Sequence, residues 1–165
     1  MAGNVEIPEL VQELAKRCLA KKVRVVTAES CTGGMVSAAL TSLAGSSSWF
    51  DRAYITYSNQ AKQECLGVPE ALITMHGAVS EPVARVMASG AIAASDADIS
   101  VAITGIAGPD GGSEEKPVGT VWFALQTVDE LISVCEVFSG KRDEVREAAT
   151  LYAISFMLKG LKPLS

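Results

Sequence analysis

The chain has 165 residues, enough for one domain, spanning 1–165, with a single core. It is 48% hydrophobic and 20% charged, which places it among globular chains, and its net charge of −5 argues against nucleic acid as the main partner, since a phosphate backbone needs a basic face. No apolar run approaches the roughly 20 residues of a membrane span, and Cys18, Cys31, Cys65 and Cys135 show no C-x-x-C spacing, so reduced thiols are expected rather than disulfides or a structural zinc.

The N-terminus, Met1-Ala2-Gly3-Asn4-Val5-Glu6, lacks the basic and apolar regions of a secretory leader, and a cytoplasmic location is expected. Leu10, Val11, Leu14, Cys18 and Leu19 recur at helical spacing after Pro8 and predict a helix to about Lys21. Val23-Arg24-Val25-Val26 predicts a strand over 23–28. The polar turn Glu29-Ser30-Cys31-Thr32-Gly33-Gly34 follows, then a helix over about 33–44. Ala44-Gly45-Ser46-Ser47-Ser48 breaks that helix, and Trp49 to Tyr57 predicts a second strand. Ser58 offers an N-cap to a short helix over 60–66, stopped by Gly67 and Pro69.

Glu70 to His76 reads as another short helix and Ser80-Glu81-Pro82 as the start of a longer one, rich in Ala and Gly and therefore suited to lie close on a sheet. Residues 98–104 form a third, strongly apolar strand of central type. A long loop with Gly105, Gly108, Gly111 and Gly112 extends to Pro117. Residues 119–128 and 131–138 are two further strands, joined too tightly to be anything but antiparallel. Asp143 to about Leu158 closes the chain as a helix. Strands alternating with helices and a late hairpin predict an α/β fold, a three-layer α/β/α sandwich with a mixed, mostly parallel sheet.

The turn at 29–34 sets hydroxyls, a thiol and backbone N–H groups at a helix start, where the dipole favours an anion. Read alone it is equally an ordinary capped helix start, and it matches neither a nucleophile elbow nor a P-loop. Ser30 is its candidate nucleophile. Cys31 is the rival, with a thiol that a helix N-terminus would acidify, but adjacent residues point in different directions and cysteine is often buried as a small hydrophobe, which favours Ser30 in the site. A serine nucleophile needs a base. His76, the single histidine, closes a helix before Gly77; Lys62 lies just beyond the second strand, where strand C-termini converge on the ligand crevice of an open α/β sheet. A lysine base requires a pKa brought down toward 7–8 by burial or neighbouring cations. Arg142 and Arg146, at the start of the last helix, are candidates for gripping phosphate or carboxylate, or for surface ion pairs with Asp143 and Glu144.

Five blocks in order carry a resemblance: Thr27-Ala28-Glu29-Ser30-Cys31-Thr32-Gly33-Gly34, Tyr57-Ser58-Asn59-Gln60-Ala61-Lys62, His76-Gly77-Ala78-Val79-Ser80-Glu81, Thr104-Gly105-Ile106-Ala107-Gly108-Pro109-Asp110-Gly111-Gly112 and Lys116-Pro117-Val118-Gly119-Thr120-Val121. Together they resemble the CinA C-terminal domain family over about residues 8–158. The resemblance implies a three-layer α/β/α amidase that hydrolyses nicotinamide mononucleotide to nicotinate mononucleotide and ammonia, with a serine–lysine pair and neither metal nor cofactor. It implies Ser30 as nucleophile and Lys62 as base, with Thr32, Gly33, Gly34, Tyr57, Thr104, Gly105, Arg142 and Arg146 around the substrate. The glycine turn would hold either the oxyanion or the phosphate. Full-length members carry an additional N-terminal domain; these 165 residues leave no room for it, and ADP-ribose hydrolysis, associated with that domain, is not expected. The implied partner is a small nucleotide, with no nucleic acid or membrane. The Trp49-Phe50 and Trp122-Phe123 pairs suit core or interface, which leaves a homo-oligomer open. The alternative function is a non-catalytic module that binds a pyridine nucleotide.

Overall fold

The computed structural model describes residues 6–164. Helix α1 (Ile7–Lys21) leads into β1 (Val25–Glu29), and α2 (Met35–Thr41) with a 3-10 turn (Ser46–Ser48) leads to β2 (Phe50–Ile55). Three helices follow: α3 (Asn59–Leu66), α4 (Glu70–His76) and α5 (Glu81–Ala93). Then come β3 (Ile99–Gly105), β4 (Thr120–Gln126), β5 (Leu131–Val137) and α6 (Arg142–Gly160).

The sheet order is β2-β1-β3-β4-β5. β1 pairs parallel with both β2 and β3, and β4 pairs antiparallel with both β3 and β5. Only β4 therefore runs against the other strands, as the mixed sheet with a late hairpin requires. The apolar runs explain the order. β1 is buried along its whole length and β3 nearly so, while β2 and β5 show the half-exposed pattern of edges.

Two cores flank the sheet. On one face α1, α2 and α6 bury Leu14, Leu40, Trp49, Phe123, Ile154 and Met157. On the other α3, α4 and α5 bury Leu66, Ile73, Val83 and Met87 against Val26, Ala28 and Ala102. Trp49 and Phe123 thus belong to the core. The small residues of α5 do lie close on neighbours: a Cβ at Gly90 would overlap the Leu66 carbonyl, so glycine there lets the end of α3 approach.

The helix after the turn at 29–34 begins at Met35, later than the pattern suggests, because Gly33 and Gly34 both take positive φ, 56° and 104°. The 3-10 turn at Ser46–Ser48, predicted as a plain break, is the other difference. Ser58 caps α3 as expected, its hydroxyl accepting the Ala61 amide at 3.0 Å.

This topology gathers the ends of β1, β2, β3 and β5 at one edge of the sheet. The first turn of α6 and the loop between β3 and β4 reach the same edge.

Candidate active site

Ser30 is the first residue beyond β1, and Lys62 sits in the second turn of α3. Lys62 is 1% exposed and Ser30 7% exposed, and their Nζ and Oγ atoms stand 3.0 Å apart. The ammonium position is also 2.7 Å from the Thr56 carbonyl and 3.3 Å from the Tyr57 carbonyl. Both carbonyls belong to the link between β2 and α3. Burial makes the charged form costly and lowers the Lys62 pKa from 10.5 to about 8. With two N–H groups directed at carbonyls, the lone pair of a neutral amine faces the serine hydroxyl.

The turn that carries Ser30 is fixed from both sides. Glu29, fully buried, accepts hydrogen bonds from the Thr27 and Thr32 hydroxyls and from the amides of Gly34, Val36 and Ser37. The amides of Gly34, Val36 and Ser37 at the start of α2 are therefore already paired with a side chain of the chain itself and are not available to a ligand. On the other side Arg146 donates Nε to the Cys31 carbonyl at 3.0 Å and Nη2 to the Thr32 carbonyl at 3.4 Å. Ser30 donates its own amide to the Ile103 carbonyl of β3, and Gly33 donates to the Ser30 carbonyl. Among the described residues, the amides of Cys31 and Thr32 make no hydrogen bond to another residue, and the Cys31 amide lies against its own thiol.

Cys31 is buried, and its thiol is pushed up to about 11 by that burial. The expected acidification by a helix start does not arise, because desolvation outweighs it. His76 stands exposed at the end of α4 and does not line the site; its carbonyl accepts Lys116 Nζ at 2.7 Å.

A cavity of about 260 Å³ opens onto Ser30 and Lys62, with Tyr57, Thr104, Gly105 and Arg142 in its wall. The Thr104 hydroxyl donates to the Ala78 carbonyl at 2.9 Å and so ties the link between α4 and α5 to β3. Arg142 bridges the cavity mouth, donating to the Gly108 carbonyl at 2.8 Å and to the Tyr57 hydroxyl at 2.9 Å. Beyond it lies a larger hollow of about 730 Å³ whose wall includes Ala107, Val118, Lys141, Arg142 and Arg146. Gly34 faces Ile55, with its amide spent on Glu29. Among the described residues no group of three or more His, Cys, Asp or Glu side chains is arranged to hold a metal ion.

The sequence reading named both members of the pair but gave no role to Glu29 and aimed Arg146 at the substrate. The threonines flanking Glu29 are the one signal that could have marked it as an acceptor.

A buried serine hydroxyl against a buried lysine of lowered pKa, beside free backbone amides, is equipped for acyl transfer from an ester or amide. The chain belongs to the CinA C-terminal domain family, whose model matches residues 8–161. It is 55% identical over 150 residues to the nicotinamide-nucleotide amidohydrolase PncC of Escherichia coli K12, covering 90% of this chain and 91% of that one. It is 49% identical over 152 residues to the PncC of Enterobacter agglomerans, covering 92% and 93%. Among solved structures, the CinA superfamily protein ECK1530/EC0983 of Escherichia coli superposes with a TM-score of 0.93 at 37% identity, covering 98% of this chain and 94% of that one. The competence/damage inducible protein CihA of Agrobacterium tumefaciens gives 0.90 at 41% identity, covering 93% and 94%.

Proposed function

We infer that this chain is a nicotinamide-nucleotide amidohydrolase, cleaving the carboxamide of nicotinamide mononucleotide to nicotinate mononucleotide and ammonia in pyridine nucleotide recycling. Two relatives bearing that name, 55% and 49% identical over about nine-tenths of both chains, support the activity. The observation that carries the mechanism is the 3.0 Å contact between Lys62 Nζ and Ser30 Oγ.

Neutral Lys62 takes the Ser30 proton as Oγ attacks the carboxamide carbon. The carbonyl oxygen gains the charge and is met by the free amides of the turn. Lys62 then passes its proton to the departing nitrogen, the C–N bond breaks, and ammonia leaves behind an ester on Ser30. Water attacks that ester, giving one proton to Lys62. Lys62 returns it to Ser30 Oγ as the acid is released. As an ammonium, Lys62 has three donors for three oxygen acceptors, those of Ser30, Thr56 and Tyr57. The ring amide fits the small cavity, and the ribose phosphate extends past Arg142 toward the larger hollow, where Lys141 and Arg142 suit an anion.

No helix of the described residues is long and apolar enough to cross a membrane. Ser30→Ala should lower ammonia release from nicotinamide mononucleotide by at least about 1,000-fold while the protein stays folded. Near-normal turnover in that variant, with loss in Cys31→Ala instead, would reassign the nucleophile to Cys31. Saturable nucleotide binding with no ammonia from the wild type would indicate a binding module.

A further inference from the structure

In the turn after β1, every carbonyl that precedes a free amide is anchored. The Ser30 carbonyl accepts the Gly33 amide at 3.0 Å, and the Cys31 carbonyl accepts Arg146 Nε at 3.0 Å. In a trans peptide the C=O and the following N–H point in opposite directions. Holding the Ser30 carbonyl therefore aims the Cys31 amide, and holding the Cys31 carbonyl aims the Thr32 amide. These are the two amides of the turn that pair with no other residue among the described residues. The Thr32 carbonyl is held by the same guanidinium, and the next amide, Gly33, is already used inside the turn.

Position 33 shows that this clamp is built into the turn. A Cβ there would stand 3.1 Å from Arg146 Nη2, and the residue has φ 56°. Glycine gives the backbone its left-handed step and gives the guanidinium its approach. Glu29 holds the opposite flank by taking the amides of Gly34, Val36 and Ser37. Carbonyls face the cation, amides face the anion, and two amides are left over beside the nucleophile.

We propose that Arg146 is a positioning residue that orients the Cys31 and Thr32 amides as donors to the oxyanion, rather than a ligand for the substrate. This rests on the amidase reading above. It acts through the backbone of the turn, without touching substrate, and its effect is concentrated in the transition state, where the oxygen is charged.

The test is steady-state kinetics of Arg146→Met and Arg146→Lys on nicotinamide mononucleotide. Arg146→Met should lower kcat about 100-fold, the scale of one lost oxyanion donor, with KM within about threefold. Arg146→Lys, which keeps one cationic donor, should recover part of the loss. Gly33→Ala, which crowds the guanidinium, should share the kcat effect. A rise in KM with kcat unchanged would overturn the proposal in favour of direct substrate binding, and wild-type kinetics in both Arg146 variants would overturn it outright. Labelling of Ser30 by a fluorophosphonate, followed by intact mass, reads the same donors without the nucleotide. Its rate should fall in Arg146→Met and recover in part in Arg146→Lys. If the wild type is labelled yet releases no ammonia, the substrate assignment fails while the comparison of Arg146 variants still decides the role of the clamp. If Arg146→Met does not fold, Arg146→Lys and Gly33→Ala carry the test, and unchanged labelling in both would refute the role.

Discussion

The cavity is walled by two regions of opposite character. The turn that carries Ser30, 30–34, is held by a buried Glu29 and a half-buried Arg146. Glu29 takes five donors from one side and Arg146 takes two carbonyls from the other. The glycine loop after β3 is held mostly by backbone bonds near its base, from Ile106 to the Thr120 carbonyl and from Gly119 to the Ile106 carbonyl. Its tip, residues 109–115, is exposed, and Lys116 reaches from there to the His76 carbonyl. The turn that carries Ser30 is over-determined, while the glycine loop across the cavity is lightly tied. Transition-state charge rewards donors fixed beforehand, whereas admitting and releasing a nucleotide needs backbone that gives way.

The largest effect that sharpens this contrast lies on the fixed side, at Lys62. Lys62→Met should cut turnover about 1,000-fold or more, within the range for losing a general base. In the wild type, kcat/KM should rise about tenfold per pH unit toward pH 8 and then level, because the active form is the neutral amine and the pKa is about 8. At pH 7 roughly one-tenth of the enzyme is then in that form. A flat profile between pH 6 and 9 would remove Lys62 from the role of base. The same shift has a sign for stability. The folded pKa of about 8 lies below the ordinary 10.5, so between those values the unfolded chain binds more protons and stability rises with pH. Below pH 8 the buried ammonium costs about 3 kcal/mol. The stability of Lys62→Met relative to wild type should therefore be greater at pH 7 than at pH 10.5, as read from urea midpoints at the two values.

Next in size is the carboxylate under the turn. Glu29→Ala leaves two hydroxyls and three amides without their acceptor. Unfolding free energy should fall by roughly 3 kcal/mol or more, since each unpaired buried group costs about 1–3 kcal/mol. Glu29→Gln keeps the shape and should lose less. Chemical denaturation with an unchanged m-value measures both. A Glu29→Ala protein as stable as wild type would mean that water or a shifted helix start supplies those partners, and the contrast between the regions would collapse.

The smallest effect belongs to the loop. Lys116→Ala removes one exposed tie, worth about 1 kcal/mol or less. KM should rise two- to threefold by this argument, with kcat and melting temperature nearly unchanged. A large fall in kcat would show that the loop is as strictly positioned as the turn.

Much of this architecture was legible in the chain. The strand residues Val25 and Val26, the alternation of strands with helices and the tight link at Asp129-Glu130 predict the sheet and its antiparallel end. Ser58 at the start of α3 and Gly67 after it mark a helix by local chemistry alone. Ser30 and Lys62 were both named, because each follows a strand whose end points to the crevice. A helix start acidifying the Cys31 thiol is overruled by its burial, and the amides of Gly34, Val36 and Ser37 are taken by Glu29. The tendency of cysteine to be buried favoured Ser30 over Cys31, as the buried thiol agrees, whereas Glu29 turning back onto the amides of the helix start left no local signature beyond the flanking threonines.

What the sequence by itself determined is what depends on neighbours along the chain: hydrophobic period, caps, turns and the order of the family blocks. What only the tertiary structure decided depends on groups brought from afar. Lys62 meets Ser30 across 32 positions and Arg146 meets Cys31 across 115. Desolvation of the lysine and the direction of each peptide dipole in the turn follow from those meetings. A pKa or a donor's aim is a property of the surrounding field, and that field exists only once the chain has folded.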